Sequence, residues 1–358
     1  MDQSLKLDYW EEKVLGCLLG GAIGNAMGSL VENWTYERIE RTYGTIDAPL
    51  DLRRINEEDD YQMALLFCEA YLERGRHVTP EEFARTWLEK FDPGKNFFWC
   101  MRNALELLKR GASPRQTGLY NVNTGSALMA IAPVGIYNAL EPDRAFSDAL
   151  DLAYVYQPEP DATCAACFAA GVAVALDPTA TVGEVVDAIV ERAPSERTMY
   201  WDGVRPLPSL RASLEAAREI AGEFSGDWRG ARENIYQKLL AWHPIDPVEV
   251  LSIATCLFEV TGGEYEEGCV AGTNVGRDAD TIANLIGSLC GCLGGVGAIP
   301  PEWREGVKEV NPDLYDRFIA TARGFARLLV RKGRLYEEIG RSITSAGRES
   351  SRTRKRER

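Results

Sequence analysis

Residues 16–28 read GCLLGGAIGNAMG, a run of glycine, alanine and aliphatic residues inside a longer segment with helical spacing. Val14, Leu15, Leu18 and Leu19 fall on one side of a helix, which predicts a first helix over residues 9–29. Because glycine and alanine carry little or no side chain, this helix can approach a neighbouring backbone closely.

Helical spacing continues along nearly the whole chain, whereas the alternation typical of strands is scarce. Thr79, Thr181 and Asp246 are typical helix N-caps. No fixed-period repeat is present, so the sequence predicts one compact all-α domain over residues 1–340, followed by a basic, disordered tail over 341–358. Further helices are predicted at 61–74, 80–91, 97–110, 124–140, 144–155, 161–176, 182–192, 208–222, 230–241, 247–261, 264–273, 281–295, 302–310 and 312–338.

Hydropathy, charge and cysteine content limit the classes of protein to which this chain can belong. No apolar run approaches the roughly 20 residues that span a bilayer, and the N-terminus lacks the pattern of a secretory signal. The net charge is −14; the tail carries seven basic and two acidic residues, a net of +5, which leaves −19 on residues 1–340. An acidic body disfavours nucleic acid as a partner. The nine cysteines fit a reducing compartment, and Cys164 and Cys167 are interpreted as small core residues. We therefore expect a cytoplasmic protein, with no membrane partner and a monomer favoured.

Two acidic clusters each stand at the start of a predicted helix. The first is Glu57-Glu58-Asp59-Asp60, and the second is Asp278-Ala279-Asp280-Thr281. The helix dipole stabilises carboxylates near a helix N-terminus, and this accounts for one or two acidic residues in each cluster. A longer acidic run repels itself, and a bound cation would remove that repulsion.

The oxygen ligands of these clusters suit a hard cation such as Mg²⁺. Two acidic helix starts that face each other would form a two-metal site. The chain has two histidines, His77 and His243, and neither lies near an acidic cluster, so imidazole-preferring metals are disfavoured.

Taken in order, these motifs resemble those of the ADP-ribosylglycohydrolases. The segment Gly16 to Gly28, ending in Val31-Glu32, is similar to the family's opening helix. Asp59-Asp60 stands where the family has Thr-Asp-Asp-Thr, and Gly276-Arg277-Asp278-Ala279-Asp280-Thr281 stands where it has Gly-Gly-Asp-Thr-Asp-Thr. Between them, residues 125–133 resemble the family's central Gly-Ala-Met-Arg…Pro helix, and residues 157–162 stand where a His…Pro motif is usual.

This resemblance implies an all-α fold with a binuclear magnesium centre, manganese being an alternative, in a cleft that takes ADP-ribose or another ribosyl-bearing substrate. The implied reaction is hydrolysis of the glycosidic bond at C1 of a ribose through a metal-activated water, with Glu32 and Asp60 as catalytic residues. The implied metal ligands are Glu58, Asp59, Asp60, Asp278, Asp280 and Thr281. Substrate-binding roles fall to Asn25, Gly125, Ser126, Gln157, Gly276 and Arg277.

The sequence also departs from the family's motifs. Glu58 and Tyr61 replace the two threonines of the first motif, Asn25 replaces an aspartate, Arg277 replaces a glycine and Gln157 replaces a histidine. The metal carboxylates are kept while their surroundings change, which predicts retained hydrolysis with a shifted substrate. Arg277 could pair with a substrate phosphate or with Glu58. Tyr200-Trp201-Asp202-Gly203 is a candidate loop over the cleft.

Three alternatives remain open at the level of sequence. One is a hydrolase of nucleoside-like N-glycosides, and another is a catalytically inactive relative that binds a ligand. The third is a phosphohydrolase, because two-metal sites with oxygen ligands also cleave phosphate esters.

Overall fold

The computed structural model describes residues 7–92, 94–95, 97–196, 209–241 and 243–356, with side chains up to residue 344. Within these residues the regular structure is helical, and extended pairing is limited to one isolated bridge between Thr35 and Gly276. The α-helices are α1 Tyr9–Gly28, α2 Tyr36–Tyr43, α3 Asp59–Arg74, α4 Pro80–Lys90, α5 Trp99–Lys109, α6 Ala132–Tyr137, α7 Pro142–Ala153, α8 Asp161–Ala175, α9 Val182–Arg192, α10 Leu210–Glu223, α11 Trp228–Lys238, α12 Pro247–Val260, α13 Tyr265–Asn274, α14 Ala279–Gly294, α15 Pro301–Val310 and α16 Pro312–Arg356. Short 3₁₀ helices span Leu52–Asn56, Thr117–Tyr120, Leu128–Ala130 and Val296–Ala298.

The pair α1 and α14 forms the centre of the fold, and glycines let the two backbones touch. An ideal Cβ on Gly16 would lie 2.3 Å from the carbonyl oxygen of Gly291, and one on Gly28 would lie 2.2 Å from that of Ala279. Real Cβ atoms do not approach a carbonyl this closely, so α1 and α14 can pack at this distance only with glycine at the crossing points.

The remaining helices pack around a single large hydrophobic cluster that runs from Val14 to Leu329. Its buried members include Cys164 and Cys167 on α8, as expected for small core residues. Among the described residues, no helix is long and apolar enough to cross a membrane.

Helix starts follow the predicted caps. Thr79 and Thr181 form capping boxes with Glu82 and Glu184, and the Asp246 carboxylate accepts hydrogen bonds from the first turn of α12. These caps are local in sequence, which is why the pattern of residues predicts them.

The predicted helix over residues 124–140 is wrong in its first half. Gly125 has φ +74°, which is incompatible with a right-handed helix, and the chain makes a turn and a 3₁₀ helix before α6 begins at Ala132. The turn is held by the buried Asp161 carboxylate, which accepts hydrogen bonds from the backbone N–H groups of Ala127 (2.9 Å) and Leu128 (3.1 Å).

Residues 30–46 contain α2, a helix that the sequence pattern did not predict. The helix has eight residues and buries Ile39 alone. A small apolar cluster of Val31, Ile39, Ile46 and Ala279 holds this segment against the start of α14. The segment carries Glu32, so this cluster decides where that carboxylate lies.

The last helix, α16, continues to Arg356 and thus runs through residues 341–356, for which the sequence predicted a disordered tail. Lys332 and Tyr336 still contact Glu141 of the body, whereas the side chains from Glu337 to Thr344 are exposed. The division of the chain at residue 340 stays a prediction.

Candidate metal centre

The starts of α3 and α14 face each other across a cleft of about 280 Å³. Both predicted acidic clusters contribute to this one cleft, together with a glutamate from the segment after α1. The lining residues are Glu32, Glu58, Asp59, Asp60, Phe97, Phe98, Trp99, Thr124, Ser126, Met129, Ile245, Asp278, Asp280 and Thr281.

One wall of the cleft is the first turn of α3. Glu58 is the N-cap residue, but its side chain makes no capping hydrogen bond, and Asp59 and Asp60 follow in the first turn. The Glu58 carboxylate instead pairs with Arg54, Nη2 to Oε1 3.1 Å. Asp60 is buried and accepts a hydrogen bond from Asn284. The helix dipole therefore favours these carboxylates, but they do not serve as caps.

The opposite wall is the first turn of α14. Asp278 is the N-cap residue and, like Glu58, forms no side-chain cap. Asp278, Asp280 and Thr281 are each 5% exposed or less, and Oδ1 of Asp280 is buried without a hydrogen-bond partner among the described residues. An orphaned buried carboxylate oxygen is costly unless it meets a cation or a donor.

Glu32 completes the centre. Carboxylate oxygens of Glu32, Asp278 and Asp280 lie within 4.8 Å of one another. The backbone brings them together: Asn33 donates to the carbonyl of Arg277 at 2.6 Å, and Arg277 donates to that of Trp34 at 2.8 Å. Glu32 is only partly buried and is thus the member of this group that meets solvent.

Burial raises the pKa values of the aspartate carboxyl groups in this cleft. Burial raises the pKa of Asp59 to about 6, and the nearby Glu58 and Glu32 add to the shift. Burial and mutual repulsion also raise the pKa values of Asp60, Asp278 and Asp280 well above the usual range of an aspartate.

A divalent cation fits this group of side chains. The donors are carboxylate oxygens, which hard cations prefer, and the Asp280 Oδ1 atom has no other partner in the part of the chain that the structure describes. A cation would also relieve the repulsion that raises the pKa values of the three buried aspartates. The residues that would hold it are Glu32, Asp278 and Asp280, with Asp59, Asp60 and Thr281 lining the same cleft.

Asn284 supports the centre from behind and was missed in the sequence. Its Nδ2 donates to Oδ1 of Asp60 (3.1 Å) and to the carbonyl of Met129 (2.9 Å), and Ser288 donates to its Oδ1 (3.3 Å). The available signal was helical spacing, because Asn284 follows Asp280 by four residues and so lies on the same side of α14. An asparagine within the largely apolar sequence of α14 indicates a buried hydrogen-bond partner.

One of the predicted substrate-binding residues, Ser126, lines the cleft, while Gly125 lies beside it and Gln157 lies behind it. The Ser126 hydroxyl lines the cleft and is 2.8 Å from that of Thr124. Gly125 stands next to it, in a left-handed conformation. Gln157 is fully buried and donates to Thr124 Oγ1 at 2.9 Å, so it supports the wall without reaching the cleft surface.

The other three predicted substrate-binding residues are not among those that line the cleft. Asn25 is 1% exposed and lines a small separate cavity with Asp60 and Asn284. Gly276 packs against Trp34, whose carbonyl oxygen would lie 2.3 Å from a Cβ at that position. Arg277 does not form the ion pair with Glu58 that the sequence allowed, because its guanidinium pairs with Glu249. The candidate loop Tyr200-Trp201-Asp202-Gly203 lies outside the described residues.

Comparison with known proteins places this chain in one family. A model of the ADP-ribosylglycohydrolase family matches residues 7–339. The chain belongs to the ADP-ribosylglycohydrolase family, and by class it is a hydrolase of glycosyl bonds. The resemblance found in the sequence motifs, and the all-α fold that it implied, are therefore confirmed.

Particular relatives match over most of their length. The chain is 30% identical over 329 residues to the uncharacterized protein YegU of Escherichia coli (strain K12), covering 87% of this chain and 96% of YegU. It is 25% identical over 302 residues to the ADP-ribosylarginine hydrolase Tri1 of Serratia proteamaculans (strain 568), covering 82% of this chain and 74% of Tri1. A solved structure, an ADP-ribosylglycohydrolase-related protein complex, shares the fold with a TM-score of 0.64 and 22% identity, covering 90% of this chain and all of that one.

Proposed function

We propose that this protein is a magnesium-dependent hydrolase that releases ADP-ribose by cleaving the glycosidic bond at C1 of its ribose, with two ions in the cleft. The observation that carries the proposal is the group of Glu32, Asp278 and Asp280, whose oxygens lie within 4.8 Å of one another in the lining of a cleft large enough for a ribosyl group. ADP-ribosylarginine is the first substrate to test, because Tri1 of Serratia proteamaculans carries that activity in its name.

The chemistry requires negative charge near the ribose and a route for one proton. When bound, divalent cations would supply Lewis acidity that polarises the ribose hydroxyls and makes a nearby water more acidic. In hydrolysis the water oxygen bonds to C1, the glycosidic bond breaks, and the leaving group takes its electron pair and a proton. The ring carbon gains positive charge on the way, as in other glycosidases.

Different side chains of the protein have separate roles in this reaction. Glu32 is partly exposed, so it can accept the proton of the attacking water and pass it through solvent to the leaving group. Asp60 is oriented by Asn284 at 3.1 Å and, once a cation offsets the repulsion between the carboxylates, would add negative charge that favours the positive ring in the transition state. Thr124 and Ser126 form a third wall of the cleft, and their hydroxyls are offered to the substrate.

The proposal is tested by product analysis with an ADP-ribosylarginine peptide in the presence and absence of Mg²⁺. We expect free ADP-ribose only with the metal, and we expect Mg²⁺ or Mn²⁺ to raise the melting temperature of the protein by linkage. Release of AMP would instead assign the protein to the phosphohydrolases. Absence of both metal binding and turnover would overturn the proposal in favour of an inactive relative.

The double variant Asp278→Asn/Asp280→Asn tests the site itself. It should lose activity and metal-dependent stabilisation while its helical circular dichroism stays that of the native protein. Asp313→Asn/Asp316→Asn is the matched control, since these aspartates are exposed and also lie in the first turns of a helix, α16. Full activity in the first variant would refute the site.

A further inference from the structure

Arg277 occupies a backbone conformation that arginine rarely adopts. Its φ is +64°, in the left-handed region that favours glycine. Both of its backbone groups are hydrogen-bonded to the segment that carries Glu32, through Asn33 and Trp34. The conformation is therefore maintained by the contact between residues 33–34 and residue 277, and the next residue along is Asp278.

The side chain of Arg277 reaches away from the acidic centre to a buried carboxylate. Its Nε and Nη2 atoms lie 2.6 Å and 3.0 Å from the two oxygens of Glu249, a paired geometry that arginine alone can make. The Glu249 side chain is fully buried, and that of Arg277 is 17% exposed. An ion pair of this geometry and burial holds its two segments firmly together.

Glu249 in turn holds the loop that precedes α12. Its Oε2 accepts a hydrogen bond from the backbone N–H of Ala241 at 2.6 Å, while Asp246 caps α12 at the other end of the loop. Between these two anchors lies Ile245, which lines the cleft. The position of Ile245 thus depends on Glu249.

Ile245 meets the third wall of the cleft at Gly125. The carbonyl oxygen of Ile245 would lie 3.1 Å from a Cβ on Gly125, so the two walls touch beside Ser126. Direct contacts lead from Arg277 through Glu249 to Ala241, and the loop then leads from Ala241 to Ile245 at this junction. This route bypasses the carboxylates of the acidic centre.

We infer that the Arg277–Glu249 ion pair is a positioning device that fixes the Ile245 wall against Gly125 and thereby determines which ribosyl substrates enter the cleft. This inference rests on the proposed function for its substrate class. Arg277 is a positioning residue, since it acts through Glu249 and the loop and does not reach the reacting atoms. The pair should control binding of the substrate more than the chemical step.

The experiment compares the variants Arg277→Met, Glu249→Gln and the double variant Arg277→Met/Glu249→Gln. The double variant guards against loss of folding, because it leaves neither charge buried without a partner and the new side-chain amide oxygen can still accept the hydrogen bond from Ala241. For each variant, kcat and KM are measured on free ADP-ribosylarginine and on an ADP-ribosylarginine peptide. Calorimetry gives the affinity for Mn²⁺. Hydrogen exchange is followed in residues 241–246 and 124–126.

We expect KM to change about tenfold and by different factors for the two substrates, with kcat and Mn²⁺ affinity within about threefold of wild type. Hydrogen exchange should rise in residues 241–246. The double variant should resemble each single variant, because all three break the same pair.

Unchanged exchange in residues 241–246 of the double variant would overturn the inference, as would equal KM changes for both substrates or additive effects of the two substitutions. An inactive wild type would refute the proposed function alone, because exchange and Mn²⁺ binding report on the wall without turnover.

Discussion

The two aspartates of the α3 cluster stand in different surroundings. Asp60 is held by Asn284 and is buried, whereas Asp59 is partly exposed beside Glu58. A carboxylate whose orientation is set by a neighbouring donor can present its other oxygen in one direction, which is what a ligand or an electrostatic group requires. Asn284 is therefore the residue behind the metal centre whose loss should matter most.

Asn284→Ala should lower turnover and Mn²⁺ affinity by about 10- to 100-fold, the usual cost of losing a hydrogen bond to a metal-binding residue. Steady-state kinetics and calorimetric titration with Mn²⁺ measure the two effects. Ser288→Ala is the control, one turn further along α14. The Ser288 hydroxyl donates a hydrogen bond to Asn284 and not to Asp60. Equal effects of both substitutions would contradict this role of Asn284.

Asp161 gives a prediction about pH. Burial raises its pKa to about 7 although it accepts two backbone hydrogen bonds. A carboxyl group whose pKa is higher in the folded state than in the unfolded chain, where it is about 4, contributes stability at low pH and loses it as the pH rises through the folded-state pKa. The free energy of unfolding of the wild type minus that of Asp161→Asn should therefore fall as the pH rises from about 4 to about 7. Above about pH 7 this difference should stay constant.

Urea unfolding at several pH values measures this difference, which should change by a few kcal/mol, since one pKa unit corresponds to about 1.4 kcal/mol. Asp177→Asn is the control. Hydrogen bonds from Thr179 lower the pKa of Asp177, so the stability difference for this variant should stay nearly flat over the same range. A flat profile for Asp161→Asn as well would contradict the prediction.

At the scale of the helices, the contact of α1 with α14 decides where the second acidic cluster lies. Gly28 ends α1 against Ala279, the first residue of α14, so the close approach continues up to the metal centre. Any added side chain along this contact would push apart the two helices that position Asp278 and Asp280.

Gly291→Ala should destabilise the protein by at least about 1–3 kcal/mol, because its Cβ would lie 2.0 Å from the carbonyl oxygen of Gly16 and only backbone could move aside. The measurement is the free energy of unfolding in urea. Gly222→Ala on α10 is the matched control: residue 222 is exposed and no atom lies within 4 Å of its Cβ position, so alanine should stabilise the helix by up to about 1 kcal/mol. A neutral effect at residue 291 would mean that the two helices can separate without cost.

At the scale of the whole molecule, charge is divided between the body and the end of α16. Residues 341–358 carry a net of +5 and the remainder carries −19. Residues 341–344 are exposed, and the contacts found there lie within the helix itself, as in the Arg341–Glu337 pair. Residues 341–344 therefore add little to the packing of the body.

A chain truncated after residue 340 should keep the wild-type melting temperature within about 2 °C and its full activity, since it loses no buried contact of the described side chains. Differential scanning calorimetry and the ADP-ribosylarginine assay provide the comparison. A large loss of either would show that residues 341–358 belong to the folded domain.

The sequence alone determined the helical class, most helix boundaries and the two acidic helix starts, because caps and apolar spacing act over a few residues. It also contained the order of motifs by which the family is identified. Which carboxylates meet was decided by tertiary structure: Glu32 reaches Asp278 because residues 33 and 34 hydrogen-bond to residue 277 and because Val31 packs against Ala279. The partners of Arg277 and Asp60 were likewise beyond local rules, since Glu249 and Asn284 lie 28 and 224 residues away along the chain. Such contacts depend on how helices cross, and in α1 and α14 that crossing is set by the fit of glycines against a backbone.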